Sequence, residues 1–197
     1  MTADSLDEWM IHVSRLIGEL DELSRRFVLT QKDQPKVIVL GSPVVFPNYK
    51  VLQLISAAGM RIAAVADSLS LEADLAVSGS KRLISSERLL DQIVSDHLWA
   101  TSSGARVNNE GLYSYFLHLV RELHPDGIVC HILKGQIEYD FELPYIEKTA
   151  EEADIPVFRL ETDYQYQDVE QLRIRMEAFG EMLTQKIIVK RKVKRSA

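Results

Sequence analysis

Four apolar runs of this 197-residue chain end in side chains that can do chemistry. Gly41 and Ser42 follow KVIVL, and Asp67 follows RIAAVA. His131 lies near the end of the run GIVCHI, with Lys134 and Gln136 just beyond it, and Glu161, Thr162 and Asp163 follow PVFRL. Gly41–Ser42–Pro43 leads into a helical pattern, so its backbone N–H groups and the positive end of a helix dipole are suited to an anion. GSPVVFPN lacks the glycine spacing of a dinucleotide fingerprint or a Walker loop. A dinucleotide site is therefore not encoded, although Asp67 stands where a ribose-binding acid would stand. Glu161 and Asp163, two residues apart, form a candidate acid and base pair. Capping of the next helix, or an ion pair with Arg173, competes for the same carboxylates. Arg173 and Arg175 can clamp a carboxylate or phosphate, or pair with Asp168, Glu170 or Glu177 on their own helix. The candidate catalytic residues are thus Glu161 and Asp163, and the candidate substrate-binding residues are Gly41, Ser42, Asp67, Lys134, Gln136 and Arg173.

No metal site is legible. The chain has a single cysteine, Cys130, which excludes an internal disulfide framework, a CxxC pair and any multi-cysteine metal cage. Cys130 lies inside an apolar strand pattern and reads as a small buried hydrophobe rather than a nucleophile. His131, the next residue, points to the opposite face of that strand. His118 and His124, six apart on a predicted helix, fall on different faces and make poor zinc geometry.

The elements that must position these residues alternate. Residues 36–40, 61–66, 127–132 and 156–160 are largely continuous apolar runs, as expected of strands covered on both faces of a parallel sheet. Helical patterns over 46–58, 85–99, 110–123, 142–153 and 168–185 separate or follow them. The order predicts an α/β fold: a doubly wound (Rossmann-like) parallel sheet of about four strands flanked by helices. An N-terminal amphipathic helix precedes it, with Leu6, Trp9, Met10, Val13, Leu16, Ile17, Leu20, Leu23 and Phe27 on one stripe. That stripe must be covered by the following domain or by another subunit. Two stretches, 68–86 and 100–109, are polar and turn-rich and read as long loops. The domain reading is a helix and linker at 1–34, an α/β domain at 35–185 and a basic tail at 186–197. In an open parallel sheet ligands bind outside the carboxyl ends of the strands, which is where all the candidate residues except Arg173 fall.

Composition narrows the class. With 46% hydrophobic and 26% charged residues the chain is an ordinary globular one. No apolar run reaches the ~18–20 residues of a membrane span, and the acidic start, MTADSLDEWM, is unlike a secretory signal, so a cytoplasmic protein is expected. Six of its 23 basic residues lie in the last twelve positions, after all 29 acidic ones. An acidic body argues against nucleic acid, and the basic end reads as a frayed, solvated terminus.

The stretch LKGQIEYDFELPYIEK, the segment IPVFRLETDYQYQDVEQLRIRMEAF and the opening VIVLGSPVVFPNYKVLQLISAAGMRIAAVADS together resemble the D-component family of 2-hydroxyacyl-CoA dehydratases and benzoyl-CoA reductases. The resemblance covers residues 35–183 and corresponds to the C-terminal domain of that family. It implies a subunit of a protein complex in anaerobic metabolism, paired with a related subunit, each usually holding a [4Fe–4S] cluster by cysteines. It also implies an ATP-driven activator that supplies an electron at low potential, and an acyl-CoA substrate that is dehydrated or reduced.

The departures are specific. Lys134–Gly135–Gln136 stands where the family has Lys-Phe-Cys, Ser70 where it often has cysteine, and ATSSGARVNN where another cysteine-bearing loop is usual. Iron in such clusters needs thiolates. The expectation is therefore a shortened, cluster-free subunit or accessory protein. The [4Fe–4S] cluster is expected only on a partner, which is either a cluster-bearing paralogous subunit in a hetero-oligomer or, failing that, replaced by a homodimer. The chain would then be one component of a dehydratase (lyase) or a benzoyl-CoA reductase-type complex, touching neither nucleic acid nor membrane. The alternative is a free-standing small-molecule binding α/β module without CoA chemistry.

Overall fold

A computed structural model of the chain describes residues 3–27, 34–67 and 109–196. The predicted helix at 85–99 and the predicted loops at 68–86 and 100–109, apart from Asn109, lie outside these residues. The chain divides into two compact units, Met1–Gln34 and Pro35–Ala197. The first unit is helix α1 (Ala3–Phe27).

In the second unit the described elements are β1 (Lys36–Gly41), α2 (Lys50–Ala57), β2 (Arg61–Asp67), α3 (Glu110–Leu123), β3 (Gly127–Leu133), α4 (Glu138–Glu152), β4 (Val157–Thr162) and α5 (Val169–Ser196). The four strands are parallel, in the order β2-β1-β3-β4. This is the doubly wound α/β sheet that the alternating pattern predicts. Winding proceeds from β1 outward to β2 and then back past β1 to β3, so the switch point lies between β1 and β3.

Both faces of the sheet are covered, which is why the strand sequences are apolar throughout rather than alternating. Val37, Val39, Val129 and Leu160 join α2 and α5 residues such as Ile55, Leu172 and Met176 on one face. Ile38, Leu40, Ile128, Cys130 and Ile132 join α3 and α4 residues such as Phe116, Leu143 and Ile146 on the other. The register between β1 and β2 slips between Val37 and Ile38. The slip sets Ile62 and Val65 on the first layer and Ala64 and Ala66 on the second. α5 crosses close to the end of α2, where a Cβ on Gly180 would lie 2.8 Å from the Ala58 carbonyl oxygen.

Two helices differ from the periodicity. α4 begins at Glu138, one turn before the expected start, because Gly135 (φ +92) reverses the chain directly after β3. α5 continues to Ser196, so the basic end expected to fray is helical. Lys186 and Lys190, one helical turn apart, both meet Asp154, at 2.5 and 2.9 Å. Their ammonium groups hold the Asp154 carboxyl down at about 2. Among the described residues no helix is long and apolar enough to cross a membrane.

Candidate functional site at the carboxyl edge of the sheet

The switch point is built on Gly41. Its φ is +114, and a Cβ there would lie 2.1 Å from the His131 carbonyl oxygen, so only glycine lets β1 run this close to β3 as it leaves the sheet. Ser42 then crosses to β3. Its N–H donates to the His131 carbonyl at 2.8 Å, and its hydroxyl oxygen accepts the Leu133 N–H at 2.8 Å. Both Ser42 and His131 are buried. The His131 ring lies between the Ser42 carbonyl (Nδ1, 3.2 Å) and the Thr162 hydroxyl (Nε2, 2.8 Å). Burial pushes the imidazole pKa below its ordinary value, so the ring is neutral at pH 7. A carbonyl only accepts, so Nδ1 carries the proton and Nε2 accepts from Thr162. The polar groups of β1, β3 and β4 thus satisfy one another, and hold the crevice shut.

Asp67, at the end of β2, is buried and accepts the Val44 N–H at 2.9 Å, which fastens the loop after β1. The loop after β4 is fastened by Lys50, the first residue of α2, whose side chain is 1% exposed. Its ammonium donates to the carbonyls of Asp163 (2.8 Å) and Gln165 (2.6 Å) and to Asp168 Oδ1 (2.8 Å). Lys50 was not a sequence candidate. Its signal is a lysine one turn before Leu54 on the buried face of α2, where an unpaired ammonium would be prohibitive.

Outside this closed layer stands an exposed group of charges. Lys134 Nζ meets Asp163 Oδ2 at 3.0 Å, and Asp163 Oδ1 accepts the Gln165 N–H at 2.9 Å. The hydrogen bond from Lys134 is the chief reason the Asp163 carboxyl lies below the usual carboxylate range, and the same bond raises the Lys134 pKa. Asp163 is therefore held ionised, which suits it to fixing Lys134 more than to delivering a proton. Glu161 is exposed on β4 and its charge acts on Lys134. Gln136 donates its backbone N–H to the Leu133 carbonyl, and its side-chain oxygen is buried without a hydrogen-bond partner. Arg173 pairs with Glu170 one turn back on α5, at 3.1 Å. The structure therefore joins Gly41 and Ser42 to His131 and Thr162 in the crevice, and Lys134 to Asp163 on its rim.

A second buried carboxylate also escaped the sequence reading. Glu142 of α4 accepts from Asn109 Nδ2 at 2.5 Å and from the Tyr113 hydroxyl. That bond and burial push the Tyr113 phenol up to about 12. Glu142 lies one turn from Tyr139 and Ile146 on the apolar face of α4, a spacing visible in the sequence. Between the sheet and these helices a small apolar cavity of about 20 Å³ reaches Gly41 and Leu40. A cleft of about 420 Å³, lined by Arg121, His124, Asp126, Asp154 and Lys186 among others, lies at the opposite, amino edge. Among the described residues no three His, Cys, Asp or Glu side chains are grouped to hold a metal ion.

A parallel sheet wound both ways from a Gly-Ser switch point, with ionic groups along its carboxyl edge, defines a doubly wound α/β domain. Residues 1–183 match the family model for the D-component of 2-hydroxyglutaryl-CoA dehydratase, and the chain belongs to that family. It is 35% identical over 69 residues to the beta subunit of (R)-phenyllactyl-CoA dehydratase from Clostridium sporogenes, a match covering 35% of this chain and 18% of that protein. It is 25% identical over 175 residues to the putative dehydratase subunit YjiM of Escherichia coli K12, covering 85% of this chain and 44% of that protein. The chain spans about half the length of these relatives.

Proposed function

We propose that this chain is part of a subunit of the 2-hydroxyacyl-CoA dehydratase type, which holds no iron–sulfur cluster itself and acts on an acyl-CoA beside a cluster-bearing partner. One observation carries the reading: the only thiol in the chain is out of reach of a metal. Cys130 is 3% exposed in the middle of β3, among Leu40, Ile128 and Ile132, and burial pushes its thiol up to about 12. A cluster needs several thiolates that face a common space, and this donor set does not fit one.

The carboxyl edge supports the rest of the proposal. Phe46, Ile137, Phe141, Tyr164 and Tyr166 stand exposed on the segments that follow β1, β3 and β4, Phe46 by 80% and Phe141 by 77%. Aromatic side chains are enriched in protein interfaces relative to the rest of the surface. In this reading the partner covers that rim, Lys134 attracts an anionic part of the acyl-CoA, and Glu161 is the group left to exchange a proton. The chemistry is that of a dehydratase (lyase) or a benzoyl-CoA reductase-type complex.

Capture of the tagged chain from its native host under anaerobic conditions, with iron analysis, tests this. The expected result is a larger family member carrying iron in the complex, none on the chain alone, and loss of turnover with retained assembly for Glu161→Gln. Stoichiometric iron on the solitary chain would refute the cluster-free reading. Capture of no such subunit, combined with a thermal shift by nucleotides and none by CoA thioesters, would favour the free-standing binding module instead.

A further inference from the structure

The cleft of about 420 Å³ at the amino edge of the α/β body includes none of the carboxyl-edge candidates in its lining. Its size is that of a pocket for a small organic molecule rather than for a bare ion. Three parts of the body converge on it: the end of α3, the turn between α4 and β4, and the second half of α5. The wall is apolar at Val120, Ile155, Leu183 and Ile187. Charged and titratable groups stand around it at Arg121, His124, Asp126, Asp154, Lys186 and Lys190.

Most of these charges already have partners. Lys186 and Lys190 divide the Asp154 carboxylate between them, and Asp126 Oδ2 accepts the Lys36 N–H at 2.8 Å. The Arg121 guanidinium and the His124 ring have no hydrogen-bond or ion-pair partner among the described residues, and both residues are exposed. A basic residue in the last turn of α3 suits the helix dipole, but His124 needs another reason. Among the described residues only His124 (φ 44) and Asp154 (φ 54) are non-glycines of positive φ, and both line this cleft. That left-handed conformation favours glycine. The two lysines account for the Asp154 side chain there, and no contact of the described residues accounts for the imidazole. With Arg121, Lys186 and Lys190 set against Asp126 and Asp154, the cleft is positive in a chain whose net charge is −6.

We propose that this cleft is a second binding site, which takes a small organic anion: its carboxylate or phosphate is held by Arg121 and His124, and its apolar part lies along Leu183 and Ile187. A guanidinium offers two parallel N–H donors to an oxyanion, and an imidazole offers one more. The apolar wall selects an anion that carries a hydrocarbon body over inorganic phosphate. The site is separate from the rim at Lys134 and rests neither on an acyl-CoA nor on a cluster-bearing partner. Titration calorimetry of the full chain with four probes tests it: hexyl phosphate, hexanoate, inorganic phosphate and hexanol. At least one of the two hexyl anions should bind saturably, at least 10-fold more tightly than inorganic phosphate or hexanol, and should move the His124 ring signals in the NMR spectrum. Whichever head group binds more tightly assigns the ligand as phosphate or carboxylate, and either supports the site.

Two variants separate binding from folding. Arg121→Ala should weaken the hexyl anion roughly 10-fold or more, the range for a charge-assisted hydrogen bond, with the melting temperature unchanged because Arg121 holds no other group. His124→Gly should also weaken binding, yet melt no lower than the parent, since glycine suits the left-handed conformation at least as well. Lys134→Ala, at the other edge of the sheet, should leave this affinity as it was. Four results would overturn the proposal. These are no saturable binding of either hexyl anion, inorganic phosphate binding as tightly (an adventitious ion only), full affinity in Arg121→Ala, and affinity lost in Lys134→Ala, which would move the ligand to the carboxyl edge.

Discussion

Replacing Lys50 by methionine keeps the length of the side chain and removes only its charge and three donors. The ammonium ties the backbone at residues 163 and 165 and the Asp168 carboxylate to the start of α2. A hydrogen bond to a charged group contributes about 1.5–3 kcal/mol. Three such bonds would suggest a loss of about 6 kcal/mol, but two corrections reduce it. The methionine no longer bears the cost of keeping an ammonium from water. The Asp168 side chain is 21% exposed, and Asp163 and Gln165 belong to a loop open to solvent, so water replaces part of what is lost. The expected destabilisation is about 3 kcal/mol, within the range for breaking buried ion pairs. In a body of this size it lowers Tm by roughly 6–12 °C.

Urea unfolding followed by circular dichroism measures the effect, and a double-mutant cycle with Asp168→Asn assigns it. Coupling of about 1–2 kcal/mol between the two positions is expected, because they meet at 2.8 Å. Additive losses, or a Lys50→Met protein as stable as the parent, would refute the idea that this lysine holds the loop.

Gly41→Ala should destabilise by more than about 4 kcal/mol or prevent folding, since both the φ of +114 and the 2.1 Å approach of the His131 oxygen exclude a Cβ; soluble expression and thermal melting check this. Native Cys130 should resist iodoacetamide at pH 8 and react only at the rate of unfolding, given its burial and a thiol at about 12. His131 gives a pH dependence whose sign is fixed by its lowered pKa. Its stabilising contribution is complete above the unfolded value of about 6.5 and declines below it, because the unfolded ring takes up a proton that the folded one refuses. Urea midpoints should fall from pH 7 to pH 5, with a limiting slope of about 1.4 kcal/mol per pH unit for one proton, and His131→Gln should remove that slope. The Asp154 carboxyl should titrate at about 2 by NMR, and Lys186→Ala with Lys190→Ala should return it towards the ordinary value of about 3.9.

The strands were legible because burial on both faces leaves a continuous apolar run. Each of the four runs became a strand, and each observed strand reaches one or two residues past the end of its run, to Gly41, Asp67, Leu133 and Thr162. Those last residues extend the ladder by backbone pairing, which side-chain type does not encode. The helix that carries the basic end was legible only to 185. Its continuation depends on Asp154, thirty-odd residues away in sequence, and no local pattern announces a partner at that distance. Lys50 and Glu142 were harder for a related reason. Each is a charged residue on an apolar face, and only its partners, at 113–118 positions away for Lys50 and 29–33 for Glu142, make that tolerable.

The carboxyl-edge rule drew one set of candidates, and physical chemistry divides it into two. Ser42, Asp67 and His131 lie where the sheet is closed on itself, so their oxygens and nitrogens are used between strands and loops before any ligand arrives. Lys134, Glu161 and Asp163 project where water now solvates them, and a pair such as Lys134 with Asp163 costs little to open at an exposed site. A ligand at this edge would therefore gain its charge contacts on the rim, while the crevice beneath supplies rigidity. Perturbing the two groups should separate these roles. Ser42→Ala leaves the Leu133 N–H unpaired and buried, at about 1–3 kcal/mol of stability, whereas Lys134→Ala should leave the thermal midpoint nearly unchanged and weaken binding of an anionic thioester in a titration. If Lys134→Ala instead melts early, or Ser42→Ala loses binding with its stability intact, then the crevice rather than the rim is the place where ligand is held.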